Sequence, residues 1–163
     1  MEGYLQMAAE AVSQAGAVTH VFLQAGVGGL AAAVAAHIRA SLGNAPRIVV
    51  VEPAHAPAIH ASLAAGAPVH APGPVSAMGR LDCKDPSLIA LKELAREADF
   101  SMLVTEEQAA RTTQTLAARG LGSTPSGVAG LAGVLALTQA ERARLGLDHT
   151  SRTLTFLSEA ADA

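Results

Sequence analysis

Val21-Phe22-Leu23-Gln24-Ala25-Gly26-Val27-Gly28-Gly29-Leu30 is the stretch that decides the reading of this chain. A short run of Val, Phe and Leu meets a glycine-rich turn, and an alanine-rich helical pattern follows at once. That order predicts a strand, a tight loop and a helix N-terminus. Glycines at 26, 28 and 29 permit backbone angles closed to other residues and let the main chain approach a ligand closely. The unpaired N–H groups and the positive end of the helix dipole then form an anion cradle. A phosphate is the expected ligand, and its owner decides the function.

Outward from this loop, strands and helices alternate. Residues 3–15 read as a helix and His20 to Gln24 as a strand. Gly28 to Ser41 is helical, and Arg47 to Glu52 is a β-branched run suited to a strand buried on both faces. Pro53 ends that strand, and Ala54 to Ala65 reads as a crossover helix. Val69-His70 suggests a short strand, followed by an irregular Pro/Gly stretch through Lys84. Asp85-Pro86 reads as the cap and first position of a helix to Glu97. Phe100 to Val104 is a strand, and Thr105 with Gln108 forms a capping box for a helix to Arg119. One last helix is expected from Thr124-Pro125 to about Leu145, then a strand from Thr153 to Leu157. The fold class expected is α/β: one domain over residues 1–163, with a twisted parallel sheet and helices on both faces.

Composition narrows the partners. Of 163 residues, 50% are hydrophobic and 15% charged, below the ~25% of an average soluble domain. A net charge of −3 and an aromatic content of 2% argue against nucleic acid. The apolar run from Val21 to Ala36 is broken by Gln24 and three glycines, so no membrane span is expected. The single Cys83 suits a reducing, cytoplasmic setting and excludes an internal disulfide. Six histidines are scattered, with no His-x-x-x-His pairing, so no metal is expected.

Two chemistries satisfy the glycine loop. Gly26-x-Gly28-x-x-Ala31, with Glu52 ending the next strand, meets the relaxed pattern of a dinucleotide site. The alternative is pyridoxal phosphate. The loop Gln24 to Leu30 resembles the phosphate loop of fold-type II pyridoxal-phosphate enzymes, the group of threonine dehydratase, serine racemase and tryptophan synthase β. Within it, the likeness is to the diaminopropionate ammonia-lyases. Four further stretches agree in order: residues 2–11, Val49-Val50-Val51-Glu52-Pro53, residues 78–87, and Pro125-Ser126-Gly127-Val128-Ala129-Gly130.

The resemblance implies an α/β domain like the large cofactor domain of that group, and a reaction that eliminates a β-substituent from an amino acid to give a 2-oxo acid and ammonia. It implies that Gly26, Val27, Gly28, Gly29 and Leu30 hold the phosphate of pyridoxal 5′-phosphate. Ser158, in Phe156-Leu157-Ser158-Glu159, resembles the hydroxyl residue that faces the pyridine nitrogen. Asp82 and Ser126 resemble residues near the substrate and ring. Glu52 resembles a cation ligand of serine racemase, but the matching downstream acid is Ala58 here.

The family holds its cofactor covalently through a lysine upstream of everything seen here, and this chain has only Lys84 and Lys92. The small domain is likewise absent, and the tail from Ser158 carries alanine where relatives carry glycine. The chain is therefore expected to be an incomplete cofactor domain, unable to catalyse elimination alone and prone to form a homodimer. A dinucleotide-binding oxidoreductase domain, a truncated non-catalytic interaction module and a fragment of a longer reading frame remain open at this stage.

Overall fold

The computed structural model describes residues 2–161; Met1, Asp162 and Ala163, the end of the tail noted above, lie outside them. The elements run α1 (Glu2–Ala15), β1 (His20–Gln24), α2 (Gly29–Leu42), β2 (Arg47–Pro53), α3 (Ala58–Ala65), α4 (Leu88–Glu97), β3 (Phe100–Val104), α5 (Glu106–Ala117), α6 (Ala129–Ala136), α7 (Gln139–Leu145) and β4 (Thr153–Thr155), with a 3-10 turn at Gly79–Leu81. Among the described residues four strands form one parallel sheet in the order β3-β2-β1-β4. The chain leaves β1 toward β2 on one side and returns with β4 on the other. The gap beyond the C-terminal ends of β1 and β4 is thus the topological switch point, where open α/β sheets bind ligands.

Alternation along the strands builds two cores. Val21 and Leu23 of β1, with Ile48 and Val50 of β2, face a core shared with α1, α2 and α4. Phe22, Val49 and Val51 face the opposite core, shared with α6 and with Met78 and Leu81 of the irregular segment. Both central strands are buried on both faces, as their continuous apolar runs require. Helix α6 lies close on its side of the sheet. A Cβ at Gly133 would come within 2.9 Å of Val51 Cγ2, so the small residues set the distance.

β1, β3 and the Thr105–Gln108 capping box stand where the sequence places them. Four expectations are corrected. The stretch from Ala54 does not start α3, because the Ala54 N–H extends the sheet to Val104 O at 2.8 Å. The helix begins at Ala58 instead, where the Glu52 carboxylate receives the N–H groups of Ile59 (2.8 Å) and His60 (2.6 Å). Helix α4 is capped by Ser87, whose hydroxyl accepts the Ala90 N–H, rather than by Asp85. Val69-His70 is not a strand. The long final helix is two, α6 and α7, because Leu137 is extended and Thr138 starts a second capping box with Glu141.

Candidate functional site

β1 delivers the chain to Gln24, and the loop Ala25–Gly28 turns it into α2. Two backbone bonds hold the loop's shape: Ala25 N–H to Val51 O (2.9 Å) and Ser87 N–H to Val27 O (3.0 Å). Gly28 is the N-cap, at φ 95°, where a side chain is strained. A Cβ there would also sit 3.1 Å from Ala90 Cβ and from Ile59 Cδ1. At Gly26 it would sit 3.0 Å from Cys83 Sγ and from Leu81 Cα. By contrast, nothing lies within 4 Å of the same position at Gly29. The loop is therefore packed underneath and open above. No side chain caps α2 and no acid sits in its first turn, so its leading N–H groups lack a side-chain partner, and Gly28, Gly29 and Leu30 border the opening.

That opening is a cleft of about 550 Å³ at the switch point. Gly26, Val27, Gly28, Gly29, Leu30 and Ser158 all border it. Ser158 follows β4, and its Oγ lies 3.0 Å from Nε2 of Gln24, the buried last residue of β1. The two remaining sequence-predicted residues are not among its lining. Asp82 forms an ion pair with Lys84 (2.5 Å), which holds its carboxyl below the usual carboxylate range. Ser126 is buried and its hydroxyl receives the Arg80 N–H at 3.2 Å. A separate depression of about 450 Å³ runs along β3, and none of the sequence-predicted residues borders it.

Neither lysine reaches the glycine loop as a free amine. Lys84 Nζ donates to His55 O (2.8 Å), Pro74 O (2.9 Å) and Asp82 Oδ1. That ammonium clamps the irregular segment onto the end of β2. Lys92 is exposed on α4, against a different depression. The Cys83 thiol borders the cleft, but burial pushes its pKa up, so it stays protonated and poorly nucleophilic. Glu52 is 1% exposed with both oxygens spent on α3; burial raises its pKa to about 7 against the lowering effect of the two N–H donors. This geometry leaves it unsuited to a ribose or a cation. Among the described residues no group of three or more His, Cys, Asp or Glu is placed to hold a metal.

Four lining residues escape a reading by pattern. Tyr4 of α1 borders the cleft and is half exposed. Arg80 is 80% exposed at its rim, with Nε 3.7 Å from Glu159 Oε1. Glu159 also receives the hydroxyl of Thr124, whose oxygen in turn accepts the Gly127 N–H at 3.0 Å. Tyr4 had one signal, its place in a family-like stretch. Arg80, Thr124 and Glu159 meet only through contacts 35 or more residues apart in sequence.

A glycine loop and a strand-end hydroxyl bordering one cleft, at the switch point of a parallel sheet, make a setting that suits a phosphate-bearing cofactor. The pyridoxal-phosphate dependent enzyme family matches residues 1–159, and the chain belongs to it. Among solved structures, the T.th. threonine deaminase is similar at 26% identity and a TM-score of 0.85, over 99% of this chain and 58% of that one. The diaminopropionate ammonia lyase of Escherichia coli, in complex with an aminoacrylate-PLP azomethine reaction intermediate, is similar at 26% identity and a TM-score of 0.83, over 98% and 44%. Maize serine racemase shares the fold at a TM-score of 0.89 and 19% identity, covering 99% and 48%. The chain thus spans about half the length of these relatives. No sequence match is found among curated proteins.

The residues present fit the phosphate end of that cofactor. The uncapped N–H groups above Gly28 suit an anion, and the open space over Gly29 admits one. The family membership also decides between the two chemistries of the loop, in favour of pyridoxal phosphate.

Proposed function

We propose that these 163 residues are the cofactor-binding part of a pyridoxal-phosphate-dependent ammonia-lyase acting on 2,3-diaminopropionate or a similar amino acid. The observation that carries the reading is the cleft that the Gly26–Leu30 loop and Ser158 both border. The likeness to a diaminopropionate ammonia lyase and a threonine deaminase, both at 26% identity, supports the reaction class.

Bound here, the cofactor supplies an electron sink for breaking bonds at the α-carbon of an amino acid. The chain's own residues hold and orient it. The N–H groups from Gly26 to Leu30 bind the phosphate dianion, helped by the α2 dipole. Ser158 hydrogen-bonds the ring nitrogen, and a hydroxyl, unlike a carboxylate, does not enforce protonation there. Arg80, at the cleft rim, offers its guanidinium to the carboxylate of the amino acid substrate. Asp82 and Ser126 support the neighbouring loops. Abstraction of the α-proton needs a lysine that these residues do not place in the cleft, so it comes from outside this stretch of chain. Assembly as a homodimer in the cytoplasm, without nucleic acid or membrane, completes the reading. Among the described residues no helix is long and apolar enough to cross a membrane.

The test is binding of 4-deoxypyridoxine 5′-phosphate, which lacks the aldehyde and so needs no lysine. Saturable binding to the 163-residue chain, lost in the presence of excess inorganic phosphate, is the expected result; absence of binding refutes the cofactor reading. Pyruvate and ammonia released from 2,3-diaminopropionate by the chain alone would refute the missing-lysine part.

A further inference from the structure

We propose that Gln24 fixes the direction of the Ser158 hydroxyl, so that Ser158 presents its proton rather than a lone pair to the cleft. This inference rests on the cofactor reading above and gives the ring nitrogen's protonation state a cause in this chain.

Gln24 is 2% exposed at the end of β1. Its Nε2 lies 3.0 Å from Phe156 O, 3.0 Å from Ser158 Oγ and 3.3 Å from Gly127 O. Two of these acceptors are carbonyl oxygens, which cannot donate. The amide therefore turns its NH2 group, not its oxygen, toward this corner. An NH2 group has two protons, and the two shorter contacts, to Phe156 O and Ser158 Oγ, take them. Ser158 is thus an acceptor toward Gln24 and keeps one O–H to donate. That proton has no acceptor among the described residues, and Ser158 is exposed on the cleft.

The other end of the same amide shows that the orientation is imposed. Gln24 Oε1 is buried and has no hydrogen-bond partner among the described residues. It faces α6, where a Cβ at Gly130 would lie 2.8 Å away. A buried unpaired carbonyl is costly, and turning the amide over would place that oxygen against two other carbonyls. The unsatisfied oxygen is the lesser cost, so the NH2 stays aimed at Ser158.

A hydroxyl held in this sense pairs with a lone pair. An unprotonated pyridine nitrogen matches it, whereas a protonated one would set two protons against each other. Gln24 touches neither cofactor nor substrate in this scheme; it is a positioning residue. Its removal frees Ser158 to rotate and to accept a proton from the ring, which makes ring protonation easier.

The experiment uses ring-15N-labelled 4-deoxypyridoxine 5′-phosphate bound to the full chain, with the nitrogen's chemical shift followed against pH. In the wild type the bound nitrogen is expected to stay unprotonated to lower pH than in either Ser158→Ala or Gln24→Met, by on the order of one pH unit. The double variant is expected to match Ser158→Ala, because Gln24 acts on the ring only through the Ser158 hydroxyl. A purely structural role for Gln24 would change melting temperature and leave this midpoint alone. A Gln24→Met midpoint equal to wild type, with Ser158→Ala shifted, overturns the inference and spares the cofactor reading. An unshifted Ser158→Ala removes Ser158 from the ring and overturns the inference with it. If the ligand does not bind or Gln24→Met does not fold, the side-chain amide resonances of Gln24 in ligand-free protein decide. Ser158→Ala is expected to move one of the two amide protons and leave the other; an unchanged pair refutes the relay.

Discussion

The two walls of the cleft are built by different means. The wall from Gly26 to Leu30 is backbone: a left-handed glycine, an uncapped helix start and two main-chain bonds that hold the turn. The other wall, at Arg80, Leu81, Cys83, Thr124, Ser158 and Glu159, is held largely by side chains recruited from distant segments. Lys84 reaches His55 and Pro74, Ser126 holds Arg80, and Thr124 binds Glu159. A backbone wall tolerates little change at Gly26 and Gly28 and much elsewhere. A side-chain wall is spread over many weaker contacts and yields by degrees. Rigidity is thus expected at the glycine-loop side of the cleft and adaptability at the side built from Arg80, Thr124 and Glu159.

Substituting Gly28 by Val attacks the backbone wall and has the largest expected effect. The left-handed φ alone costs about 1–3 kcal/mol, and the branched side chain collides with Ala90 and Ile59. Chemical denaturation should show a loss of roughly 3 kcal/mol or more, and binding of 4-deoxypyridoxine 5′-phosphate should disappear. Retained binding would mean that the loop is not the phosphate site.

Lys84→Met acts on the opposite wall and should do less. It leaves two carbonyls and the Asp82 carboxylate without their ammonium. A loss of about 2 kcal/mol is expected, with faster amide exchange confined to residues 71–84 and phosphate-ligand affinity changed less than threefold. Equal loosening of the glycine loop would show that the two walls are one unit. Asp82, held low by Lys84, contributes stability above its unfolded pKa that is lost as pH falls through the folded one, and the variant should lose that acid sensitivity.

Glu52→Gln tests the scaffold beneath both walls and has the smallest effect on the cleft itself. Its folded pKa of about 7 lies above the unfolded value, so the native state binds more protons between pH ~4.5 and 7. Glu52 therefore contributes stability that is present below pH ~4.5 and lost as pH rises toward 7, at up to about 1.4 kcal/mol per pH unit. Urea unfolding at pH 5 and pH 7.5 should show this difference in the wild type and a flatter dependence in the variant, with the cleft ligand bound as before.

Much of this division was legible in the residues and part was not. The glycine loop, β1, β3 and the Thr105 capping box rest on local spacing, and local spacing is what a sequence displays. The break between α6 and α7 carried a local signal, the Thr138-x-x-Glu141 capping signature, but the helical pattern on both sides of it read as one helix. The start of α3 was not legible, because its cap is a carboxylate seven residues upstream on β2. Asp82 and Ser126 carried a resemblance to site residues, yet their side chains serve Lys84 and Arg80.

The sequence by itself determined the alternation of strands and helices, the glycine loop between β1 and α2 and the family, because turn chemistry, β-branched runs and glycine positions act within a few residues. Only the tertiary structure decided which side chains face the cradle and how they are aimed. Gln24 meets Ser158 across 134 positions of chain, and no periodicity connects them. The parallel pairing of β1 with β4 brings them to one corner, and burial there leaves the amide a single tolerable orientation.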